Sequence, residues 1–345
     1  MSVYNVEIFS GQFKYKNSVQ IQTLEYEFDY LDIEKNKIKH PDLRASKGDY
    51  IRITGKTKIV GVVSDVIEDK NTIELEYKSF MSLFDVKIYT AISSMKTIEQ
   101  WLKKTIEELY INNTDALQNV YGLQVITTTE TVGSLDYEDG INNLYEIIVS
   151  AFTVYGILVD FDINVGAKRI FINVGKKKLN RFTIESYLPN VKEIKVTLKE
   201  DDSIKNKCKI YNSENLAESV TYYLDQDDNV TTSPKTRKKP VGYIEVLAKG
   251  TNKKTFAEVA ETKAIQTLKP SRLDNLIEVT CSLNDPIIKP YERFIGQTVH
   301  VITKDGTRYV SELTGYEYKE SEARLIFGAI RLELTKQLKK WRRSQ

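Results

Sequence analysis

The sequence is poor in the residues that make functional sites conspicuous. Its 345 residues include two cysteines, two histidines, three methionines, two tryptophans and seven prolines. Cys208 and Cys281 are too few for a disulfide framework; one bridge remains open, and two buried thiols are the simpler reading. His40, before Pro41 in a predicted loop, and His300, in mid-strand, have no cysteine or second histidine at ligand spacing, which argues against zinc. Neither G-x-x-x-x-G-K-[ST] nor G-x-G-x-x-G occurs, so nucleotide binding has no motif. No apolar run is long enough to cross a bilayer, and Met1–Glu7 lacks a basic region leading into an apolar one. No membrane insertion or secretion is expected, and the chain is expected to be made in a cytoplasm. With 50 Lys+Arg against 48 Asp+Glu the net charge is +2, too balanced for a dedicated nucleic-acid binder. Scarce proline and only 16 glycines argue against long disordered linkers.

What is present is an ordinary globular composition, 41% apolar and 28% charged, with length enough for two or three domains. Tyrosine stands out at 21 residues. Many lie in alternating segments, as Tyr26, Tyr30, Tyr50 and Tyr77 do, where the ring packs and the hydroxyl stays wet; β propensity and interface enrichment both account for that.

Two glycine-led β-units echo each other. The first opens with Gly48-Asp49-Tyr50-Ile51-Arg52-Ile53 and continues through Lys58–Ser64 and Thr72–Tyr77. The second opens with Gly296-Gln297-Thr298-Val299-His300-Val301 and continues through Arg308–Leu313 and Ala323–Phe327. The glycines lie 248 apart (296 − 48), and Val63-Ser64-Asp65-Val66 aligns with Val310-Ser311-Glu312-Leu313 at 247 (310 − 63). Each unit reads as a glycine turn followed by three alternating strands, placed in separate domains.

Strands are predicted at Tyr4–Phe9, Ser18–Asp29, Asp49–Thr54, Lys58–Glu68 and Asn71–Phe80. Thr97-Ile98-Glu99-Gln100 has capping-box spacing and opens a helix with Ile98, Trp101, Leu102, Ile106 and Leu109 on one face. A second helix is predicted over Ile141–Tyr155, ended by Gly156. A hairpin follows, Ile157–Ile163 and Arg169–Val174. Further strands are expected at Glu193–Leu198, Lys207–Asn212, Ser219–Leu224, Tyr243–Leu247 and Asn275–Leu283, with a helix at Thr255–Leu268. The expected fold is α+β, mainly β: two tube-like barrel or sandwich domains, 1–92 and 186–345 (the latter with one helix), and a small α/β module at 93–185.

Motifs for chemistry are weak. Asp225-Gln226-Asp227-Asp228-Asn229 starts like a calcium loop, but Val230 stands where glycine is needed and Thr236 where glutamate is needed, so a polar turn fits better. Ser93-Ser94-Met95-Lys96 matches S-x-x-K without its K-T-G companion, and a helix start explains it better. Lys176–Lys178, Lys235–Lys239 and Lys339–Arg343 read as solvated turns and a tail rather than DNA contacts. No catalytic, metal or cofactor residue is assigned, and no enzyme activity is expected.

The order of elements resembles the baseplate hub, or tail-tip, proteins of tailed bacteriophages. The similar stretches are Lys47–Ile53, Gly61–Val66, Tyr77–Asp85, Val220–Asp225, the helix through Ala257 and Ala264, and Phe327-Gly328-Ala329-Ile330-Arg331. That resemblance implies a homotrimer with two tube-like β-domains per chain, giving a pseudo-sixfold ring in the virion tail. The ring joins the tail tube to the tip and passes DNA without reading its sequence. Implied partners are the distal tail or tail-tube protein, the tape-measure protein and other baseplate proteins. Spike, peptidase or carbohydrate-binding activities of such hubs lie in C-terminal extensions and would here reside on another protein. On this reading the ring interface falls at Gly48, Tyr50, Ile51, Ile53, Gly296, Val299 and Val301. The alternatives are a tail-tip cell-wall hydrolase and a host-surface adhesin, the latter pointing to Tyr316-Glu317-Tyr318 as an aromatic loop cluster.

Overall fold

The computed structural model describes residues 3–90, 97–133, 135, 140–177, 181–198, 205–225, 230–234, 242–250, 255–268, 273 and 275–328. The Ser93–Lys96 motif, residues 226–229 and 236 of the calcium-like segment, and the lysine runs at 235–239 and 339–343 lie outside them. The chain is mainly β, and compactness divides it into Met1–Thr197 with Asn275–Gln345 on one hand and Leu198–Asp274 on the other.

The larger unit holds two curled half-barrel sheets. The first runs β2 (Tyr15–Ile21), β1 (Tyr4–Phe9), β5 (Tyr50–Thr54), β6 (Lys58–Asp69), β7 (Thr72–Lys78) and β4 (Lys35–His40), every pair antiparallel. The second runs β13 (Phe182–Glu185), β20 (Thr298–Ile302), β21 (Arg308–Lys319), β22 (Glu322–Gly328), β19 (Asn275–Ser282) and β14 (Val191–Leu198). The predicted Ser18–Asp29 strand is two strands: its second half, β3 (Tyr26–Asp29), leaves the first sheet and pairs antiparallel with β21. His40 closes β4 rather than sitting in a loop.

The two sheets share one hydrophobic core. Val6, Ile8, Ile51, Ile53, Leu75 and Tyr77 of the first pack with Ile277, Val279, Val299, Val301, Leu325 and Phe327 of the second. A hydrogen bond between the Tyr4 and Tyr291 hydroxyls, 2.8 Å long, crosses the same body.

Beside these sheets, β9 (Leu123–Thr127) pairs parallel with β12 (Arg169–Gly175), and β12 pairs antiparallel with β11 (Leu158–Asn164). A ribbon joins β8 (Lys87–Thr90) to β10 (Gly140–Asn143). Helix α1 (Ile98–Tyr110) starts at Thr97, whose side chain accepts the Gln100 amide as the capping spacing requires. Helix α2 (Leu144–Tyr155) starts three residues later than predicted, because Asn143 caps it through the amides of Tyr145 and Glu146. Ile141 accordingly lies on β10, exposed beside Tyr89, instead of facing inward from a helix. Gly156 ends α2 at φ +69°, a left-handed conformation that favours glycine. The free edge of β11 is closed by a side chain: the Tyr30 hydroxyl accepts the Val159 amide at 2.8 Å.

The smaller unit is a four-stranded sheet, β17 (Val230–Thr231), β16 (Asn215–Leu224), β15 (Lys205–Asn212) and β18 (Gly242–Ala248), covered by α3 (Phe256–Leu268). Its own core joins Cys208, Ile210, Tyr222 and Leu224 to Phe256, Ala260, Ala264 and Leu268. The helix expected inside the second tube-like domain belongs here. Continuous β patterning from 187 to 283 hid this inserted unit, since strands of either body alternate alike. Cys208 and Cys281 are both buried, and neither forms a disulfide.

Candidate assembly site

The echoed segments are a true structural duplication. Strands β5, β6 and β7 are 5, 12 and 7 residues long, and so are β20, β21 and β22. Gly48 and Gly296 both take positive φ, +88° and +80°. The Gly48 amide donates to the Val63 carbonyl and the Val63 amide to Asp49; the Gly296 amide donates to Leu313 and the Leu313 amide to Gln297. A bulge follows at the same place, between Val63 and Asp65 and between Leu313 and Gly315.

The offset is 248 for the first strand (298 − 50) and 250 for the others (308 − 58 and 322 − 72). Residues 55–57 link β5 to β6, whereas residues 303–307 link β20 to β21, and those two extra residues account for the step. Val63 thus corresponds to Leu313, and the match with Val310 suggested by sequence is displaced by three residues. Among the strand positions only Val60 and Leu75 keep their identity, as Val310 and Leu325.

The residues singled out for a ring interface fall on these units in equivalent places. Tyr50, Ile51, Ile53, Val299 and Val301 are buried, the last four in the shared core. Gly48 is exposed and Gly296 half-buried at the turns. β5 is paired with β1 and β6, and β20 with β13 and β21, so neither of these strands offers a free edge. Tyr316 and Tyr318, expected in a loop, lie in β21.

The units differ in what covers them. Strand β3 lies along β21, pairing Tyr26 with Tyr318 and Phe28 with Tyr316. The ring centroids of Phe28 and Tyr316 are 5.4 Å apart, and those of Tyr26 and Tyr316 are 6.0 Å apart. Beside this stack a cavity of about 360 Å³ is lined by Tyr291, Phe161 and Leu158, with Lys56, Lys58 and Arg293 among its cations. Burial drives the Tyr26, Tyr316 and Tyr318 hydroxyls well above the ordinary phenol range.

Charges are arranged differently too. On the β4 edge, Lys37 and Lys39 meet Glu74 at 2.6 and 2.7 Å, and Lys35 meets Glu76 at 2.8 Å. Hydrogen bonds from Lys37 and Lys39 lower the Glu74 pKa. The position equivalent to Glu74 is Arg324 (74 + 250), which pairs with Glu278 and Glu317. The 303–307 hairpin has its own carboxylate, Asp305, which the Thr303 and Thr307 hydroxyls and the Thr307 amide hold down at about 2.

The buried Glu99 carboxylate is satisfied locally, accepting the Thr131 amide at 2.7 Å and the Thr129 hydroxyl at 2.8 Å. Burial alone would raise its pKa; these bonds outweigh that and lower it. Among the described residues no cluster of three or more His, Cys, Asp or Glu could hold a metal, and no helix is long and apolar enough to cross a membrane. His40 accepts the Asp42 amide, and His300 lies in β20 opposite Val310.

No protein-family model matches this chain, and no curated protein matches it in sequence. Solved structures do match. A prophage tail protein, gp18, from Listeria monocytogenes aligns over 99% of this chain and 99% of its own at TM-score 0.57 and 14% identity. A tail protein from Neisseria meningitidis aligns over 94% of this chain and 96% of its own at TM-score 0.56 and 12% identity. The 43 kDa tail protein of prophage MuSo2 from Shewanella oneidensis covers 94% and 98% at TM-score 0.55 and 12% identity. From end to end, the chain has the fold of these phage tail proteins.

Proposed function

We propose that the chain is a structural baseplate hub of a tailed phage, part of the virion tail. Three copies, each supplying two tube-like repeats, close a pseudo-sixfold ring that joins the tail tube to the tip and conducts DNA. The observation that carries this reading is the duplication itself. Two units with the same strand lengths, register and bulge let a threefold assembly present six similar faces to a sixfold tube. On this reading Gly48, Tyr50, Ile51, Ile53, Gly296, Val299 and Val301 mark the two repeats that make up that ring. Its partners are the distal tail or tube protein, the tape-measure protein and other baseplate proteins.

Native mass measurement and imaging of the purified chain test the proposal. A trimer with six lobes is expected; a monomer at micromolar concentration that forms no ring even beside tail proteins would overturn it. The role is non-enzymatic, so a zymogram against host cell wall should show no clearing, and a cleared band would move the assignment to a hydrolase. The aromatic cavity beside Tyr316 and Tyr318 favours an adhesin as second reading, which requires glycan binding that Tyr316→Ala abolishes.

A further inference from the structure

Three parts of the larger unit line the cavity beside the Tyr316 stack. The β5–β6 link and the start of β6 bring Lys56 and Lys58, β11 brings Leu158 and Phe161, and the second repeat brings Arg293 and Tyr316. At about 360 Å³ the cavity falls in the size range of small-ligand sites, roughly 300–1,000 Å³. Such sites are mostly apolar, with a few polar groups that fix the ligand. Two sets of polar groups here lack a counterpart.

The first is a pair of phenols. Tyr26 is only 6% exposed, yet among the described residues neither its hydroxyl nor that of Tyr316 forms a hydrogen bond. The phenols around them are occupied. The Tyr30 hydroxyl accepts the Val159 amide, the Tyr291 hydroxyl meets that of Tyr4, and the Tyr318 hydroxyl donates to the Pro290 carbonyl. Buried polar atoms ordinarily have a partner, so two bare phenols on one cavity mark where a ligand's polar atoms fit.

The second is positive charge. Of the cations lining the cavity, Lys58 meets Asp162 and Lys177 meets Asp160, each at 2.8 Å. Lys56 and Arg293 form no ion pair among the described residues. Lys56 donates to the Asn284 side-chain carbonyl, and Arg293 to the carbonyls of Ile287 and Ile288. Burial lowers the Arg293 pKa, and the adjacent Glu292 offsets only part of that. A half-buried guanidinium without an ion-pair partner suits an anion. The lining also has a preferred shape. Tyr316 lies 24° from parallel with Phe28 and 20° from parallel with Tyr318, at centroid distances of 5.4 and 5.0 Å. Rings so nearly parallel extend by one more flat ring, which a puckered sugar does not match.

We infer that the cavity binds a small flat aromatic anion, with its ring beside Phe28 and Tyr316 and its carboxylate or phosphate against Lys56 and Arg293. The Tyr26 and Tyr316 hydroxyls complete its polar contacts. The ligand ties both repeats and β11 together within one chain, a role separate from closure of the ring. A nucleotide and a free aromatic carboxylate share this chemistry.

Calorimetric titration of the purified full chain with naphthoate and with adenosine monophosphate tests this. Both should bind, and the tighter of the two names the source. Neutral naphthylmethanol should bind about tenfold more weakly than naphthoate. Lys56→Gln, a change at an exposed side chain, should weaken naphthoate about tenfold and leave circular dichroism unchanged. Tyr316→Ala should weaken it about as much through lost stacking. Saturation with naphthoate should also raise the melting midpoint of the native chain by a few degrees. No binding of either anion at millimolar concentration overturns the inference, as does naphthoate affinity that Lys56→Gln leaves unchanged. Glucuronate binding as tightly as naphthoate also overturns it and moves the cavity to the glycan-binding reading. None of these outcomes bears on whether the chain forms a trimer.

Discussion

The two repeats of this chain are built on one skeleton and finished with different chemistry. Where the first repeat has Asp65, Val66 and Glu68, the second has Gly315, Tyr316 and Tyr318. Where the first centres its charge ladder on Glu74, the second centres it on Arg324. What survives is what the backbone demands: a positive-φ glycine, strand lengths, the bulge and the buried face. Other side chains have diverged, inward ones included: Glu68 is exposed, whereas its counterpart Tyr318 is buried in the shared core.

The sharpest way to break this comparison is to ask whether the repeats melt together. Tyr77 and Phe327 occupy equivalent positions (77 + 250) and are almost fully buried in one core. Phe327→Ala should cost about 3–5 kcal/mol in urea denaturation. Probes in both sheets should lose structure in a single transition; separate transitions would mean two cores.

A smaller effect should separate the two glycines. Both need positive φ, so alanine at either costs about 1 kcal/mol or somewhat more. A Cβ at Gly48 meets open space, whereas one at Gly296 would lie 2.9 Å from the Leu158 Cδ1 atom, so Gly296→Ala should be the more damaging by denaturation midpoint. Equal losses would show that Leu158 moves aside at no cost.

The smallest expected effect is electrostatic and confined to the second repeat. The Asp305 pKa is lowered from 3.8 to about 2 by Thr303 and Thr307. A carboxyl lowered on folding adds stability above its unfolded pKa and loses it as pH falls toward the folded value. The 303–307 hairpin should therefore loosen between about pH 4 and 2 by carboxyl-resolved NMR, and Asp305→Asn should remove that dependence. The 55–57 link, which carries no carboxylate, should stay indifferent over that range.

Much of this fold could be read from sequence wherever a local rule governs. The positive-φ glycines marked both turns, the Thr97 cap marked α1, and Gly156 marked the end of α2. What escaped was set by tertiary pairing. The 21-to-26 break between β2 and β3 is invisible to alternation, because Tyr26 and Phe28 alternate as well on β21 as they would have on the first sheet. The hairpins' unequal lengths displaced the alignment of β6 with β21. Ile51, Ile53, Val299 and Val301 stood out in alternating strands and were assigned to a ring interface, but alternation does not say which surface covers them.

The two cysteines happen to be distributed one per compact unit, Cys208 in the smaller and Cys281 in the larger. Burial pushes the Cys281 thiol up to about 12, so in the closed protein it is protonated and slow to react. The native chain consequently carries a pair of built-in clocks. With a thiol reagent in solution, each sulfur is modified only when its own unit opens, and peptide mapping of the two alkylated sites would time those openings independently without a single substitution.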